Sequence, residues 1–408
     1  MRKVIVVGAG PAGIMASLSA SKNNQVILIE RNNKIGAKLK LTGGGRCNIT
    51  NNRDIEDFFP KVVTNSKFLY SAFYTFSNLD VMSYFASKGL KYKVEYDQKV
   101  FTQSDKADEV IEIFENDLKD NGVRVFYNSK VVDLVIEDSV IKGVKLENGN
   151  VIHADKVIIT TGGKSYPKTG SDGSMHELLE RYGHTIKPLH AALIPLVIKE
   201  EFVKKLQGVA MKEVVVTAKI KKKKFEQTGD MIFTHFGVSG PAILKISSYL
   251  NKFLIKGEEV EIYLDFLKDK TKEEVSEIIK SNLNKNIINN LKGLLPQNFI
   301  KEILSILDLT ETKANELKKA DEQKLISYFK EMKLTVRDMI TIAGAQVTSG
   351  GVNVKEINAS TMESKIIKGL YFAGEVMDVD AETGGYTLQI AYVFLLSAEN
   401  PRLLRFSE

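Results

Sequence analysis

The sequence predicts an α/β fold in which a parallel, nucleotide-binding sheet is built in two parts, with a β-rich stretch and a helical stretch inserted between them. Three observations predict it. VIVVG runs into GAGPAG, then a helical stretch, then QVILIE, which is a strand, helix and strand within about 30 residues. Short strands dominate from Pro188 to Phe266, and charged amphipathic helical patterns rich in Lys, Glu, Leu and Ile fill Lys268 to Met332. The glycine-rich, apolar texture of the first part then returns in VTSGGVNV and GLYFAGEV. The expected boundaries are 1–188 and 335–408 for the nucleotide-binding domain, 189–266 for a β-rich subdomain and 267–334 for a helical one.

The first helix spans Ala12 to Lys22. Two cations, an apolar run and small residues near Ala20 imitate a secretory signal, but Gly8, Gly10, Pro11 and Gly13 interrupt the run where a signal needs a continuous apolar helix. Helical patterns follow around Phe68 to Ser87 and Ala107 to Asn121. VRVFYN, KVVDLVIED, VIKGVKLENG and KVIITTGG read as strands with Gly or Asn-Gly turns, a small meander that returns to the parallel sheet.

Composition narrows the function classes. The 408 residues, 43% of them hydrophobic, suffice for two to three globular cores. Lys+Arg 57 against Asp+Glu 51 gives 57 − 51 = +6, a mildly basic balance that tolerates a polyanionic partner without requiring one. A single cysteine excludes an intrachain disulfide and a dithiol relay and suits a reducing cytosol. No apolar stretch is long enough to cross a bilayer, so a cytoplasmic location away from membranes is expected. There is no dense Cys/His cluster for a metal and no G-x-S-x-G elbow for a serine nucleophile.

The chemistry sits in glycine-rich motifs. In GAGPAG the missing side chains let backbone N–H groups and a helix N-terminus approach a pyrophosphate. Glu30 ends the next strand 30 − 13 = 17 residues after Gly13, where a carboxylate meets ribose hydroxyls. IITTGG, with Thr161 and Gly162, and GLYFAGE, with Gly374 and Glu375, offer two further close approaches, which suits a long flavin nucleotide. No second G-x-G-x-x-G follows Gly13, so a nicotinamide cofactor has no Rossmann module of its own and must visit the flavin directly.

Five motifs, KLKLTGGGRCNITN, TTGGKSYPKTGSDG, GDMIFTHFGVSGPAILKIS, AQVTSGGV with TMESK, and GLYFAGEVMDVDAETGGYTLQIA, run in order through nearly the whole chain. With them the sequence resembles the bile-acid-reductase-like and aminoacetone-oxidase-like family of bacterial FAD proteins, also linked to dihydrouridine formation in ribosomal RNA. The resemblance implies a glutathione-reductase-like, two-part FAD-binding domain with inserted β-rich and helical subdomains. It places Gly8, Gly10, Ala12 and Gly13 at the pyrophosphate, Glu30 and Arg31 at the adenosine, and Lys38, Thr42, Gly43, Gly44 and Arg46 along the flavin cleft. Val132, Thr161, Gly162, Gly374, Glu375, Asp378, Gly384, Gly385 and Tyr386 complete the expected FAD contacts. The pattern is broken where Thr387 stands for the usual Asn, where Val393 to Ser397 replaces a small-residue run, and where Ala191 replaces a Pro.

The implied activity is reduction of a conjugated C=C bond driven by transient NADH or NADPH, on a uridine of ribosomal RNA or a small enone. Oxidation of a small aminoketone and a non-catalytic flavin- or RNA-binding protein are the alternatives, and oligomeric state is open. Tyr166, Tyr386 and His235 are the candidate proton donors, each weighed against simple packing or local hydrogen bonding. Cys47 reads as a packed residue beside a loop whose amides and Arg46 would face an anion, and His190 reads as structural. KKKK at Lys221 to Lys224 reads as a hairpin tip or edge decoration, with phosphate contact as the alternative.

Overall fold

The computed structural model describes residues 1–339 and 341–393. The chain opens with β1 (Arg2–Val7), α1 (Pro11–Ser21) and β2 (Asn24–Ile29). Val4, Ile5 and Val6 of β1 and Leu28 of β2 are fully buried. Both faces of these strands are covered, so they read as continuous apolar runs rather than alternating ones. Next come β3 (Asn48–Asn51), β4 (Val62–Thr64), α2 (Tyr70–Thr75) and α3 (Asn78–Ser87). The helical pattern of 68–87 is split because Ser77 and Asp80 form a reciprocal capping box that starts a new helix.

After β5 (Tyr92–Val94), β6 (Lys99–Thr102) and α4 (Ala107–Asp120), β7 (Arg124–Phe126) pairs in parallel with β2. VRVFYN therefore belongs to the parallel sheet and not to the meander. The meander is β8 (Val131–Glu137), β9 (Val140–Leu146) and β10 (Val151–His153), in the order β10-β9-β8. The chain then enters β11 (Lys156–Ile159), α5 (Ser174–Arg181) and β12 (Ile186–Ala192).

Residues Ala191–Thr341 form a separate compact unit. It contains β13 (Leu196–Ile198), β14 (Ala210–Ile220), β15 (Lys223–Phe233), β16 (Gly237–Ser239), α6 (Pro241–Leu254) and β17 (Val260–Asp265). These are followed by α7 (Lys272–Ile279), α8 (Ile287–Asn290), α9 (Gln297–Ile306), α10 (Lys319–Lys330) and β18 (Met332–Met339). The six strands close a barrel in the order β13-β16-β15-β14-β17-β18. One core joins barrel residues such as Val216, Ile262 and Leu334 to Phe299, Ile303 and Phe329 of the helices. Ile220 pairs with Lys223 across a turn with Lys221 at φ 55°, which makes the lysine run a hairpin tip. The expected return to the first domain at Thr335 falls inside β18, where Thr335 pairs with Glu261. KLTVRDM carries strand texture, but texture does not say which sheet a strand joins.

The first unit is Met1–His190 together with the chain from Ile342. Its closing elements are β19 (Val347–Val352), β20 (Leu370–Phe372), β21 (Asp380–Ala381) and α11 (Tyr386–Tyr392). β20 pairs in parallel with β11 and completes a five-stranded sheet of order β20-β11-β1-β2-β7. Phe394 to Ser397, most of the segment in which the sequence breaks the family pattern, lie outside the described residues. Among the described residues no helix is long and apolar enough to cross a membrane.

Candidate functional site

The three glycines of GAGPAG do three different things. Gly8 lies at φ 103°, and a Cβ there would stand 2.8 Å from the Thr160 carbonyl oxygen. A Cβ on Gly13 would stand 1.8 Å from the Gly8 carbonyl oxygen, so only glycine lets α1 pack against the loop. At Gly10 a Cβ would meet nothing within 4 Å. Nothing in the protein demands glycine at that point, and the open space is what a phosphate approaching the backbone requires. No side chain caps α1, and its first amides have no intrahelical acceptor. Ala12 and Gly13 thus leave N–H donors at the positive end of the helix.

Glu30 follows β2 and is 7% exposed. Its Oε2 accepts from the Ala9 N–H at 2.7 Å, and its Oε1 accepts from the Asn32 N–H and Nδ2, both at 2.8 Å. Oε2, with one donor, keeps acceptor capacity for a ribose hydroxyl, while the carboxylate also ties the glycine loop to the end of β2. Arg31 Nη1 pairs with Asp172 at 2.5 Å. Against the upward pull of burial, hydrogen bonds from Ser174 and Arg31 hold the Asp172 carboxyl down to about 2. Val132 sits at an irregularity of β8, where the register with β9 shifts between Val131 and Asp133. Bulges of this kind re-aim a side chain.

A second cluster joins four segments that are far apart in sequence. Lys38 Nζ lies 2.7 Å from Glu375 Oε2 and 2.5 Å from Ser165 Oγ. Glu375 Oε1 accepts from the Thr348 N–H at 2.7 Å, and Thr348 Oγ1 accepts from the Lys164 and Ser165 N–H groups at 2.8 and 3.0 Å. Next to it, Thr161 Oγ1 is buried without a partner, and Gly162 takes φ 73°. A buried hydroxyl of that kind wants a ligand or a water.

In the glycine run Thr42 Oγ1 donates to the Leu39 carbonyl at 2.7 Å, and Gly43, Gly44 and Gly45 take φ of 58°, 69° and 92°. A Cβ on Gly44 or Gly45 meets nothing within 4 Å, so this turn too faces open space. Arg46 has carboxylate partners within the protein. Its Nη1 lies 3.0 Å from Glu95 Oε1 and 3.2 Å from Asp105 Oδ1, and its guanidinium stacks 4.0 Å from the Phe101 ring centroid. The same two carboxylates also pair with Lys93, and through them Arg46 staples the glycine run to the β5–β6 hairpin.

Cys47 is fully buried, and burial pushes its thiol up to about 12. The native protein is expected to resist a disulfide reagent such as DTNB and to react only on unfolding, since the thiolate is the nucleophile. Fast stoichiometric labelling of the folded protein would overturn the packed assignment.

The last segment frames the same region. Gly374 takes φ 72°, and a Cβ there would stand 2.8 Å from the Ala12 Cβ, so this turn packs directly on α1. Asp378 accepts from Asn65 Nδ2 at 2.9 Å, and burial raises its carboxyl above the usual range. Gly385, at φ 98°, would place a Cβ 2.4 Å from the Thr50 backbone, which brings β3 against α11. Gly384 is packed on the Tyr386 ring in the same way.

Of the proposed proton donors, Tyr386 is 1% exposed, lies edge-on to Phe58 at 5.0 Å, and has its phenol pushed up to about 12 by burial. That is a core position. Tyr166 is half-buried and holds a left-handed φ of 52°, uncommon for an aromatic residue and a form of strain that recurs at functional sites. His235 belongs to the other unit, exposed in the turn between β15 and β16 with its ring edge-on to Phe236. His190, on β12, is half-buried, and burial lowers its imidazole. The sequence reading missed Asn32, Asn65, Ser165, Asp172 and Thr348, whose partners are distant in the chain or inconspicuous in type.

The model for the HI0933-like protein Rossmann domain matches residues 2–399. The chain is 32% identical to the 3-dehydro-bile acid delta(4,6)-reductase of Clostridium scindens, covering 96% of this chain and 97% of that protein. It is 30% identical to the ribosomal RNA dihydrouridine synthase of Escherichia coli K12, covering 95% of this chain and 94% of that protein. Among solved structures, the open conformation of a flavocytochrome c3 fumarate reductase superposes with a TM-score of 0.50 at 17% identity. The match covers 96% of this chain and 76% of that one, a likeness of fold.

Proposed function

The chain belongs to the HI0933-like Rossmann family, and from that premise we propose that it is an FAD-dependent oxidoreductase. Its reaction is NAD(P)H-driven reduction of a C=C bond conjugated to a carbonyl, in a small enone or in a uridine of ribosomal RNA. The observation that carries the reading is the division of labour among Gly8, Gly10 and Gly13, with open space at Gly10 and Glu30 beyond it. The two relatives support the reaction type, since one name describes a delta(4,6)-reductase of a 3-dehydro bile acid and the other the formation of dihydrouridine.

When bound, the flavin supplies hydride transfer between the nicotinamide and the substrate. The chain's own residues would hold and polarise it. The α1 amides and Gly10 take the pyrophosphate, and Glu30 the adenosine ribose. The Lys38–Glu375 pair, Thr161 and Gly44–Gly45 line the remainder. Tyr166, the less buried of the two tyrosines, is the proton donor this arrangement favours.

Glu30→Ala is expected to weaken FAD binding by roughly 1.5–3 kcal/mol, the range for hydrogen bonds to a charged group. It should also destabilise the flavin-free protein, because the Ala9 and Asn32 donors lose their acceptor. Unchanged flavin occupancy across a dilution series would contradict the ribose assignment.

Substrate class is decided by anaerobic reduction with NADH or NADPH, followed by reoxidation against enones, aminoketones and ribosomal RNA. If the substrate is RNA, replacing Lys221 to Lys224 with glutamine should weaken binding and flatten its salt dependence by a slope of about 0.7 to 0.9 for each phosphate the lysines had neutralised. Equal binding by the quadruple variant would leave the small enone.

A further inference from the structure

We infer that Asp380 is a proton-exchanging residue of the redox site, a carboxyl that takes up a proton and releases it as the charge of the site changes. This rests on the flavin reading above and goes beyond it, because Asp380, although it lies within the last of the five motifs, is not among the expected cofactor contacts.

The geometry is unusual for a carboxylate. Asp380 lies on β21, which pairs with β4, and is 1% exposed. Its Oδ1 accepts from Ser349 Oγ at 3.1 Å, while its Oδ2 is buried with no partner. Among the described residues no cation pairs with it. The charged neighbours are of its own sign: Glu375 and Asp378 both act to keep its proton on.

The nearby cations have other partners. Lys38 is held by Glu375 at 2.7 Å, Lys61 lies 3.2 Å from Glu382, and Lys187 and His190 on β12 face Asp378. β4 and β19 present only the hydroxyls of Thr64 and Ser349, which hydrogen-bond the carboxyl. Desolvation first, and the two like charges with it, push this carboxyl toward its protonated form against hydrogen bonds from Thr64 and Ser349 that favour the ionised one. Burial raises it to about 6, close enough to neutral pH for a modest change in local field to alter its protonation.

The reaction needs such a group. Saturating C=C with NAD(P)H forms one C–H bond from hydride and a second from a proton, so each turnover consumes one proton. Asp380 sits two residues beyond Asp378, one of the expected FAD contacts. Negative charge gained there on reduction raises its proton affinity further, and loss of that charge on reoxidation lowers it. The buried proton is thus stored during the first half-reaction and returned during the second. Asp380 need not touch substrate, and its role is electrostatic.

The test uses the purified flavin-loaded protein, photoreduced anaerobically in weakly buffered solution with a pH-indicator dye. Wild type should take up more protons per flavin reduced than Asp380→Asn near neutral pH, with the excess disappearing at high pH where both forms of the site leave Asp380 ionised. An infrared titration of the flavin-free protein should show a protonated-carboxyl band that titrates near pH 6 and is missing in Asp380→Asn. Equal uptake by the two proteins, or absence of that band from wild type, overturns the inference while leaving flavin binding intact. Failure of refolded wild type to bind FAD at all overturns the reading beneath it, and the inference with it.

Discussion

Alanine at Gly13 is expected to destabilise the protein by roughly 3 kcal/mol, the upper part of the range for forcing extra volume into a packed interior. Helix propensity alone predicts the opposite sign, because alanine is favoured over glycine inside a helix by roughly 1 kcal/mol. The steric term wins, since a Cβ 1.8 Å from the Gly8 carbonyl oxygen cannot be relieved by turning a side chain. The contrast with Gly10 makes the test sharp. Gly10→Ala should leave urea unfolding of the flavin-free protein within about 0.5 kcal/mol of wild type, since it introduces no contact. Gly10→Val should abolish flavin retention. If Gly13→Ala unfolds at the wild-type midpoint, or Gly10→Val purifies with full flavin, the division of labour among the glycines is wrong.

Lys38→Met carries the second large expected effect, a loss of roughly 3 kcal/mol, the low end of what breaking one side of a buried ion pair costs. The low end applies because the Lys38 and Glu375 side chains keep 22% and 13% of their exposure. The loss comes less from missing attraction than from stranding Glu375 beside Ser165 and the Thr348 amide. Lys38→Met with Glu375→Leu should therefore recover part of the stability in denaturant melts, although not flavin affinity. A single variant as stable as wild type would show that the pair is dispensable to the junction of four segments.

What could be read from the sequence follows the range of the interactions. Gly8, Gly10, Gly13 and Glu30 sit in one strand, turn, helix and strand, so local spacing carries their meaning. The ion pairs of Arg46 were not legible, because its partners Glu95 and Asp105 lie 49 and 59 residues away. Nothing beside GGGRC announces two carboxylates arriving from another hairpin. Lys38 and Glu375 are 337 residues apart; the GLYFAGE motif pointed to Glu375, but only the resemblance placed Lys38 near the cofactor. Tyr386 looked like a donor because glycines precede it, but Phe58 and β3 bury it from the far side. Asp380 was invisible for a related reason: an acid in MDVDAE looks solvated until β4 and β19 close over it.

The position of β20 in the parallel sheet has a consequence for how the molecule is made. β11 is finished at Ile159, but its neighbour on that side ends at Phe372. During synthesis the ribosome must add 372 − 159 = 213 residues before the edge of β11 can be covered, which at ~5–20 residues per second is roughly 10–40 s. Throughout that interval the nascent chain presents Val157, Ile158 and Ile159 on an unpaired edge, the kind of template on which strands of other chains can add. The barrel unit, whose strands all lie between 191 and 341, can close in the meantime. Truncation after Thr341, where the barrel unit ends, but before Leu370 should therefore yield a folded barrel tethered to an aggregation-prone half-sheet, and holdase chaperones should bind the unfinished chain at its amino-terminal end.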